Sequence, residues 1–121
     1  MKFADKFYVN AAKKYLEVQG YSILEECWAP EDGEAGFEII ARDDDTFVFV
    51  EVKGRNRGDG FPSENLTPTN RSRVEKMAVK YLRNVTDEDI SSFAFRFDTI
   101  GIIKFDETHA AIRHHVNAFG V

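Results

Sequence analysis

Cysteine is nearly absent from this chain, and it has no long apolar run. The single cysteine, Cys27, excludes an intrachain disulfide and makes the cytoplasm the expected compartment. No apolar run approaches the roughly 20 residues that a membrane-spanning helix needs, and residues 1–16 lack the apolar block of a signal peptide. Without repeats or low-complexity segments, the 121 residues predict one domain, residues 1–121, and no membrane partner.

Basic residues are in the minority. The net charge of −5 argues against a uniformly basic nucleic-acid binder. However, residues 51–83 contain eight Lys or Arg and four Asp or Glu, a net charge of +4, whereas the rest of the chain has a net charge of −9. This distribution is compatible with one basic face on an acidic body.

Apolar periodicity predicts seven elements in the order α, β, β, β, α, β, β. A helix over residues 5–19, ended by Gly20, has an apolar stripe of Tyr8, Ala11, Ala12, Tyr15 and Leu16. The predicted strands are residues 21–28, 37–42, 46–53, 94–105 and 110–115. A polar loop over 54–68 precedes a second helix, which runs from a cap at Thr69 or Asn70 to residue 83. This order indicates an α/β fold with a mixed β-sheet flanked by α-helices.

The third predicted strand ends in charged residues. It is apolar from Phe47 to Val50 and then continues as Glu51-Val52-Lys53. Because strand side chains alternate, Glu51 and Lys53 point the same way, roughly 7 Å apart. Burying two such charges is costly unless they are paired or used. The pair is therefore either a structural ion pair or part of a functional site.

A second carboxylate is expected beside Glu51. Asp43-Asp44-Asp45 has turn chemistry, which predicts a hairpin. If Arg42 pairs with Phe47, Glu38 lies opposite Glu51, whereas a slip of one residue would place Glu38 on the other face. Two adjacent carboxylates repel unless a cation such as Mg²⁺ lies between them, and a nearby lysine can stabilise charge on a phosphate. This combination is typical of phosphodiester hydrolysis.

An acidic residue followed at some distance by Glu-x-Lys resembles the PD-(D/E)XK core of restriction-endonuclease-like proteins. More of the chain resembles one family of that group, the YraN-type predicted endonucleases. The matching pieces, in chain order, are Ala11-Ala12, Tyr15-Leu16, Gly20-Tyr21-Ser22-Ile23-Leu24, Ile40-Ala41-Arg42, Val48-Phe49-Val50-Glu51-Val52-Lys53 with Arg55, Ala78, Tyr81-Leu82, Arg96-Phe97-Asp98 and Asn117-Ala118-Phe119.

The resemblance implies a restriction-endonuclease-like fold and a single nuclease-like domain that acts on nucleic acid, with DNA as the expected partner. It implies Glu38 and Glu51 as ligands of Mg²⁺ or Mn²⁺ and Lys53 as the catalytic lysine. We expect phosphates to be held by the basic residues that follow, which are Arg55, Arg57, Arg73, Lys76 and Lys80. A homodimer is compatible with the sequence.

An alternative is a non-catalytic nucleic-acid-binding module that retains the nuclease fold. The family usually has Asp where this chain has Glu38, and Gly-Glu where it has Ala35-Gly36. It also favours Glu near the position of Val9 and Lys near that of Asn70. These differences motivate the alternative. A protein-interaction domain is the third hypothesis.

Two other polar groups have simpler interpretations. Asp98 lies in an apolar strand, so we expect it to be buried and hydrogen-bonded or paired, with Arg96 as a candidate partner. His114, His115 and Asn117 lack the second element that a His-Asn nuclease motif requires. We therefore expect a structural role for Asp98 and Arg96, and we assign no nuclease motif to His114, His115 and Asn117.

Overall fold

A computed structural model describes residues 3–33, 35–61, 68–85 and 93–118. Within these ranges the elements follow the predicted order α, β, β, β, α, β, β. They are α1 (Lys6–Val18), β1 (Ser22–Trp28), β2 (Phe37–Asp43), β3 (Thr46–Asn56), α2 (Pro68–Val85), β4 (Ala94–Asp106) and β5 (His109–His115). No helix in the described part of the chain is long and apolar enough to cross a membrane.

The strands form one sheet in the order β1-β2-β3-β4-β5. Neighbouring strands are antiparallel except β3 and β4, which are parallel. Because parallel neighbours need a long crossover, the chain passes through α2 between them. The result is an α/β fold with a mixed sheet and two helices, as predicted, and it is consistent with a restriction-endonuclease-like architecture.

The central strand β3 buries apolar side chains on both faces of the sheet. Val48, Val50 and Val52 pack in the cluster that includes α1, and we call this face the α1 side. Phe47 and Phe49 pack in the cluster that includes α2, on the α2 side. Such two-sided burial is typical of a central strand covered by helices on both faces.

Helix α1 packs on the sheet through Val9, Ala12 and Leu16, which are buried. The predicted stripe therefore included two of its three core positions and omitted Val9. Tyr8 and Tyr15 are only partly buried and pack at its sides. The helix ends where predicted, before Gly20, whose φ of +96° is costly for residues with a Cβ.

Most boundaries lie within one residue of the prediction, whereas those of α2 and β3 differ more. Helix α2 begins at Pro68, so neither Thr69 nor Asn70 is its cap. Proline suits the first helical position because its fixed φ is helical and its missing N–H would have no helical partner there. Strand β3 continues to Asn56, since its parallel pairing with β4 runs to Asn56 and Lys104, so the loop begins later than predicted. Residues 86–89, where the sequence predicts a turn or a short helix start, lie outside the described residues.

Candidate active site

The α2 side of the sheet changes from apolar to charged along β3. Phe47 and Phe49 lie under α2, and the next residues of the same alternation are Glu51, Lys53 and Arg55. Glu51 and Lys53 are partly buried, and Arg55 is exposed. The strand therefore places the predicted carboxylate and lysine together on one face, beyond the aromatic core.

Strands β2 and β3 pair in the predicted register, but only up to the candidate site. Arg42 pairs with Phe47 and Ile40 with Phe49, as predicted. The register ends at Ile39 and Val50, one step before the expected pair of Glu38 and Glu51. Glu38 therefore lies where the two strands cease to pair.

Glu38 binds backbone amides at this point. The Val52 N–H donates to Oε1 of Glu38 at 2.9 Å, and the Ala4 N–H donates to Oε2 at 3.2 Å. The Glu38 side chain thus accepts a hydrogen bond from a backbone amide in the middle of β3. With Glu38 only 3% exposed, these contacts hold its carboxylate between the start of the chain and β3.

Glu38 also interacts electrostatically with Glu51. Burial raises the pKa of Glu38, the two amide hydrogen bonds oppose this, and the charge of Glu51 raises it further, so the net shift is upward. A cation near both carboxylates would relieve the repulsion.

The donor atoms fit a hard divalent cation, because Mg²⁺ prefers oxygen ligands and a carboxylate oxygen can accept more than one bond. Within 3–33, 35–61, 68–85 and 93–118, no group of three or more His, Cys, Asp or Glu side chains is placed to hold a metal ion. The candidate set is thus two carboxylates, Glu38 and Glu51.

A small cleft between the sheet and α2 adjoins Glu51. Its volume is about 70 Å³, and Glu51 and Arg73 both line it, with Phe49, Met77 and Phe97 among its apolar walls. A space of this size can hold roughly a few water molecules. The cleft therefore brings a carboxylate and a guanidinium to one water-sized space.

The other predicted phosphate-binding residues are more dispersed. Lys76 is exposed on α2. Lys80 forms an ion pair with Asp32 at 2.7 Å, and it lies roughly 10 Å along the helix from Arg73. Arg57 has its guanidinium 5.2 Å from the centroid of the Phe105 ring. Arg73 therefore lies beside Glu51, whereas Lys80 already has an acidic partner.

Strands β4 and β5 add residues to this face that the sequence interpretation missed. Pairing partners lie side by side on the same face of a sheet. Two rows thus cross the sheet from β3 to β5: Glu51, Thr99, His115 and then Lys53, Gly101, Arg113. We call these six residues with Arg55 the polar end. The alternation of residues 109–115 could have placed Arg113 and His115 on one face, but local patterns do not reveal the neighbouring strands.

A second polar cluster lies on the α1 side. The Asp98 carboxylate accepts from Arg96 Nε at 3.1 Å and from the Asn117 N–H at 2.9 Å, and it bonds His114 Nε2 at 2.8 Å. His114 Nδ1 in turn lies 3.2 Å from the Tyr15 hydroxyl. The prediction of a buried Asp98 paired with Arg96 is confirmed. This cluster joins α1, β4 and β5 on the face opposite Glu51.

Asp98 stays ionised more readily than an ordinary aspartate. Burial alone would raise the pKa of Asp98, but the bonds with His114, Arg96 and Asn117 outweigh burial, and the net shift is downward. The cluster therefore balances its own charge, which indicates a structural role.

The positions that differ from the family pattern have local explanations. Val9 is 3% exposed and belongs to the core under α1. A Cβ at Gly36 would overlap the Trp28 carbonyl oxygen at the end of β1, so this close approach requires glycine at position 36. Asn70 accepts a hydrogen bond from Arg73 at 3.2 Å. The first helix thus supplies an apolar residue where the family favours a carboxylate.

Comparison with known proteins identifies relatives of uncharacterised function. The sequence model of "Uncharacterised protein family UPF0102" matches residues 10–102. A UPF0102 protein of Syntrophus aciditrophicus is 41% identical over 93 residues, which cover 75% of this chain and 68% of the relative. UPF0102 proteins of Myxococcus xanthus and Geobacter sulfurreducens are 34% and 36% identical, each covering 91% of this chain and 83% of the relative.

Proposed function

This chain belongs to the UPF0102 (YraN) family, and we propose that it is a metal-dependent nuclease that hydrolyses phosphodiester bonds in DNA or structured nucleic acid. The proposal is carried by one observation. Where β2 and β3 cease to pair, the Glu38 carboxylate accepts a hydrogen bond from the amide of Val52, the residue between Glu51 and Lys53, and there the α2 side changes from aromatic to charged. The repulsion between Glu38 and Glu51 costs stability unless a cation relieves it, which favours a metal-binding role for the two carboxylates.

Glu38 and Glu51 would hold Mg²⁺ or Mn²⁺ in this proposal. When bound, such an ion supplies a Lewis acid and lowers the pKa of a coordinated water. The Val52 and Ala4 amides fix Glu38, so its carboxylate is oriented before any ligand arrives. This preorganisation limits the conformational entropy that binding would cost.

Lys53 would act on the phosphate. It lies on the same face of β3 as Glu51, so its ammonium can donate to a phosphate oxygen or orient the attacking water near the carboxylates. Arg73 reaches the cleft beside Glu51, where it can bind an adjacent phosphate. Arg55, Arg57, Lys76 and Lys80 would add weaker contacts further from the reacting bond.

Cleavage of labelled duplex, branched and single-stranded DNA with Mg²⁺ or Mn²⁺ tests the proposal. Lys53→Ala and Glu51→Ala should each lower the cleavage rate by about 100-fold or more, since each removes charge stabilisation at the reacting phosphate. Lys14→Ala and Glu17→Ala are matched controls, because both residues are exposed on α1. Wild-type protein that cuts no substrate, or site variants that cut as fast as the controls, would refute the catalytic assignment.

The second candidate function is nucleic-acid binding without catalysis. It is favoured by Val9, which is buried in the core where the family favours a carboxylate. This candidate predicts binding that weakens steeply with salt and no turnover with either metal. Electrophoretic mobility shifts across a salt series, run beside the cleavage assay, separate the two functions. Turnover lost in Glu51→Ala excludes the second candidate.

A further inference from the structure

We propose that Arg113 is a phosphate-binding residue of this site and contacts the nucleic-acid backbone across Gly101 from Lys53. The inference rests on the proposed function in that it takes nucleic acid as the ligand. Arg113 lies on β5, in the last described strand, far in sequence from the Glu-x-Lys segment. Only the sheet brings the two segments together.

The register of three strands places Arg113. Lys53 pairs with Gly101 in the parallel ladder, and Gly101 pairs with Arg113 in the antiparallel one. Their side chains therefore share the α2 side, with Cα atoms roughly 10 Å apart across two strand spacings. Glycine has no side chain, so β4 places no side chain between the two cations. Long basic side chains can thus approach one phosphate group, or two successive ones, from both sides.

The aromatic ring of Phe61 supports the guanidinium of Arg113. The Arg113 Cζ lies 4.3 Å from the centroid of the ring, and Arg113 is exposed. This contact uses the face of the guanidinium, whereas its N–H donors lie in the plane and point outward from its edge. A guanidinium held this way is suited to bidentate binding of a phosphate.

Lys53 and Arg113 bring two positive charges to this position, which favours an anionic ligand. The row beside Lys53 and Arg113 contains Glu51 and His115, so the candidate catalytic carboxylate is one step along the strand from the proposed phosphate contact. A phosphate bound between Lys53 and Arg113 would therefore place the neighbouring part of the backbone near Glu51. The residue would position substrate and would not take part in bond cleavage.

Fluorescence anisotropy with labelled duplex DNA in EDTA tests this role, because binding is then measured without cleavage. Arg113→Gln should weaken binding about tenfold at roughly 50 mM salt. It should also make the negative slope of log K against log salt shallower by about 0.9, since one phosphate contact is lost. Arg113→Lys should keep the wild-type slope, since it keeps the charge. Arg83→Gln is the matched control: Arg83 is exposed on α2, roughly 15 Å along the helix from Arg73. It should stay within about twofold of wild type, since it makes no proposed phosphate contact.

The outcomes separate this inference from the proposed function. If wild-type protein binds and Arg113→Gln keeps its affinity and slope, the inference fails while the proposed function stands. The same holds if Arg83→Gln loses as much affinity as Arg113→Gln. Wild-type protein that binds no nucleic acid in EDTA overturns the inference, and it overturns the proposed function as well if it also cuts nothing with Mg²⁺ or Mn²⁺. If the wild-type protein binds, Arg113→Gln weakens that binding as expected and nothing is cut, the binding role holds and the catalytic proposal fails.

Phe61→Leu should weaken binding by a smaller factor than Arg113→Gln, because the charge of Arg113 remains but the supporting ring is lost.

Discussion

Two buried carboxylates, Glu38 and Asp98, lie in opposite electrostatic surroundings. Glu38 accepts hydrogen bonds from neutral backbone amides and faces the charge of Glu51, and its pKa is raised. Asp98 is bound by the cation Arg96 and by His114, and its pKa is lowered. The chain therefore compensates the charge of Asp98 internally, whereas the ionised form of Glu38 would be stabilised further by an added cation. At the scale of single residues, this contrast separates the structural cluster from the candidate site.

Asp98→Asn should destabilise the fold by about 2 kcal/mol, because the largely buried Arg96 would lose its charged partner on β4 and, of its acidic partners among the described residues, keep only Asp43. Urea denaturation at neutral pH measures this loss. Asp32→Asn is the matched control, since Asp32 pairs with Lys80 on the exposed surface, where ion pairs contribute little to stability. An Asp98→Asn variant as stable as the control would contradict the structural role of the cluster.

The stability that Asp98 provides should depend on pH. Its folded-state pKa lies below the unfolded value of about 3.9, so the contribution is present above that pH and is lost as pH falls through the lowered folded value. The difference between wild type and Asp98→Asn should therefore be largest at neutral pH and shrink in acid. Denaturation curves recorded across the acidic range measure the difference, and a gap that widens with acidification would contradict the assignment.

Strand β3 and helix α1 meet at a contact that also determines where Lys53 lies. Gly54 follows Lys53, and the ring of Tyr8 packs directly against it, so that a Cβ at Gly54 would overlap the ring. Side-chain alternation thus places the charged residue on the α2 side and the glycine on the α1 side. At the scale of elements, the close approach of α1 holds the end of the strand that carries the candidate site.

Gly54→Ala should destabilise the protein by about 1–3 kcal/mol, because the added methyl group overpacks this contact. Tyr8→Ala removes the ring, so Gly54→Ala should cost much less in that background. A double-mutant cycle by thermal or urea denaturation measures the coupling between the two positions. Strictly additive effects would show that the ring and the glycine do not constrain each other.

At the scale of the whole molecule, the α2 side of the sheet has an apolar core region and the polar end. Both depend on the parallel pairing of β3 with β4. Helix α2 covers the aromatic part of its side of the sheet, with Phe49 and Phe97 beneath it. The pairing of β3 with β4 then places β5 one strand away from the Glu-x-Lys segment. The polar end exists because three strands contribute to it, so its ligand binding should respond to the state of the entire fold.

Mn²⁺ should raise the melting temperature of the wild-type protein, because a site built from β2 and β3 exists only in the folded state. A concentration ten times the dissociation constant would add about 1.4 kcal/mol. Protons compete with metal for Glu38, whose pKa is raised, so the stabilisation should begin to weaken on acidification at a higher pH than a glutamate with the ordinary pKa of about 4.3 would give. Differential scanning fluorimetry across pH measures this effect.

Two variants control the metal experiment. Glu51→Gln should abolish the Mn²⁺ effect, whereas Glu17→Gln on the exposed surface of α1 should leave it unchanged. Stabilisation by Mn²⁺ that persists in Glu51→Gln would place the metal elsewhere on the protein.

The order of elements, the hairpin register and the shared face of Glu51 and Lys53 follow from the sequence alone. They depend on apolar periodicity and turn chemistry, which act between residues close in the chain; Asp44, for example, adopts the positive φ expected of a tight turn. The error in the predicted start of α2 also arose from local signals. Pro68 favours the first helical position, whereas Thr69 and Asn70 favour a cap, and the local sequence does not choose between them.

The tertiary structure alone decided which distant segments meet. Pairing of β3 with β4 placed Arg113 in the row of Lys53, and the packing of α1 brought Tyr15 to His114, 99 residues away. It also determined that β2 and β3 cease to pair before Glu38, whose carboxylate then binds the Val52 amide. Such arrangements depend on long-range register and on burial against other elements, and no local pattern in a single sequence encodes them.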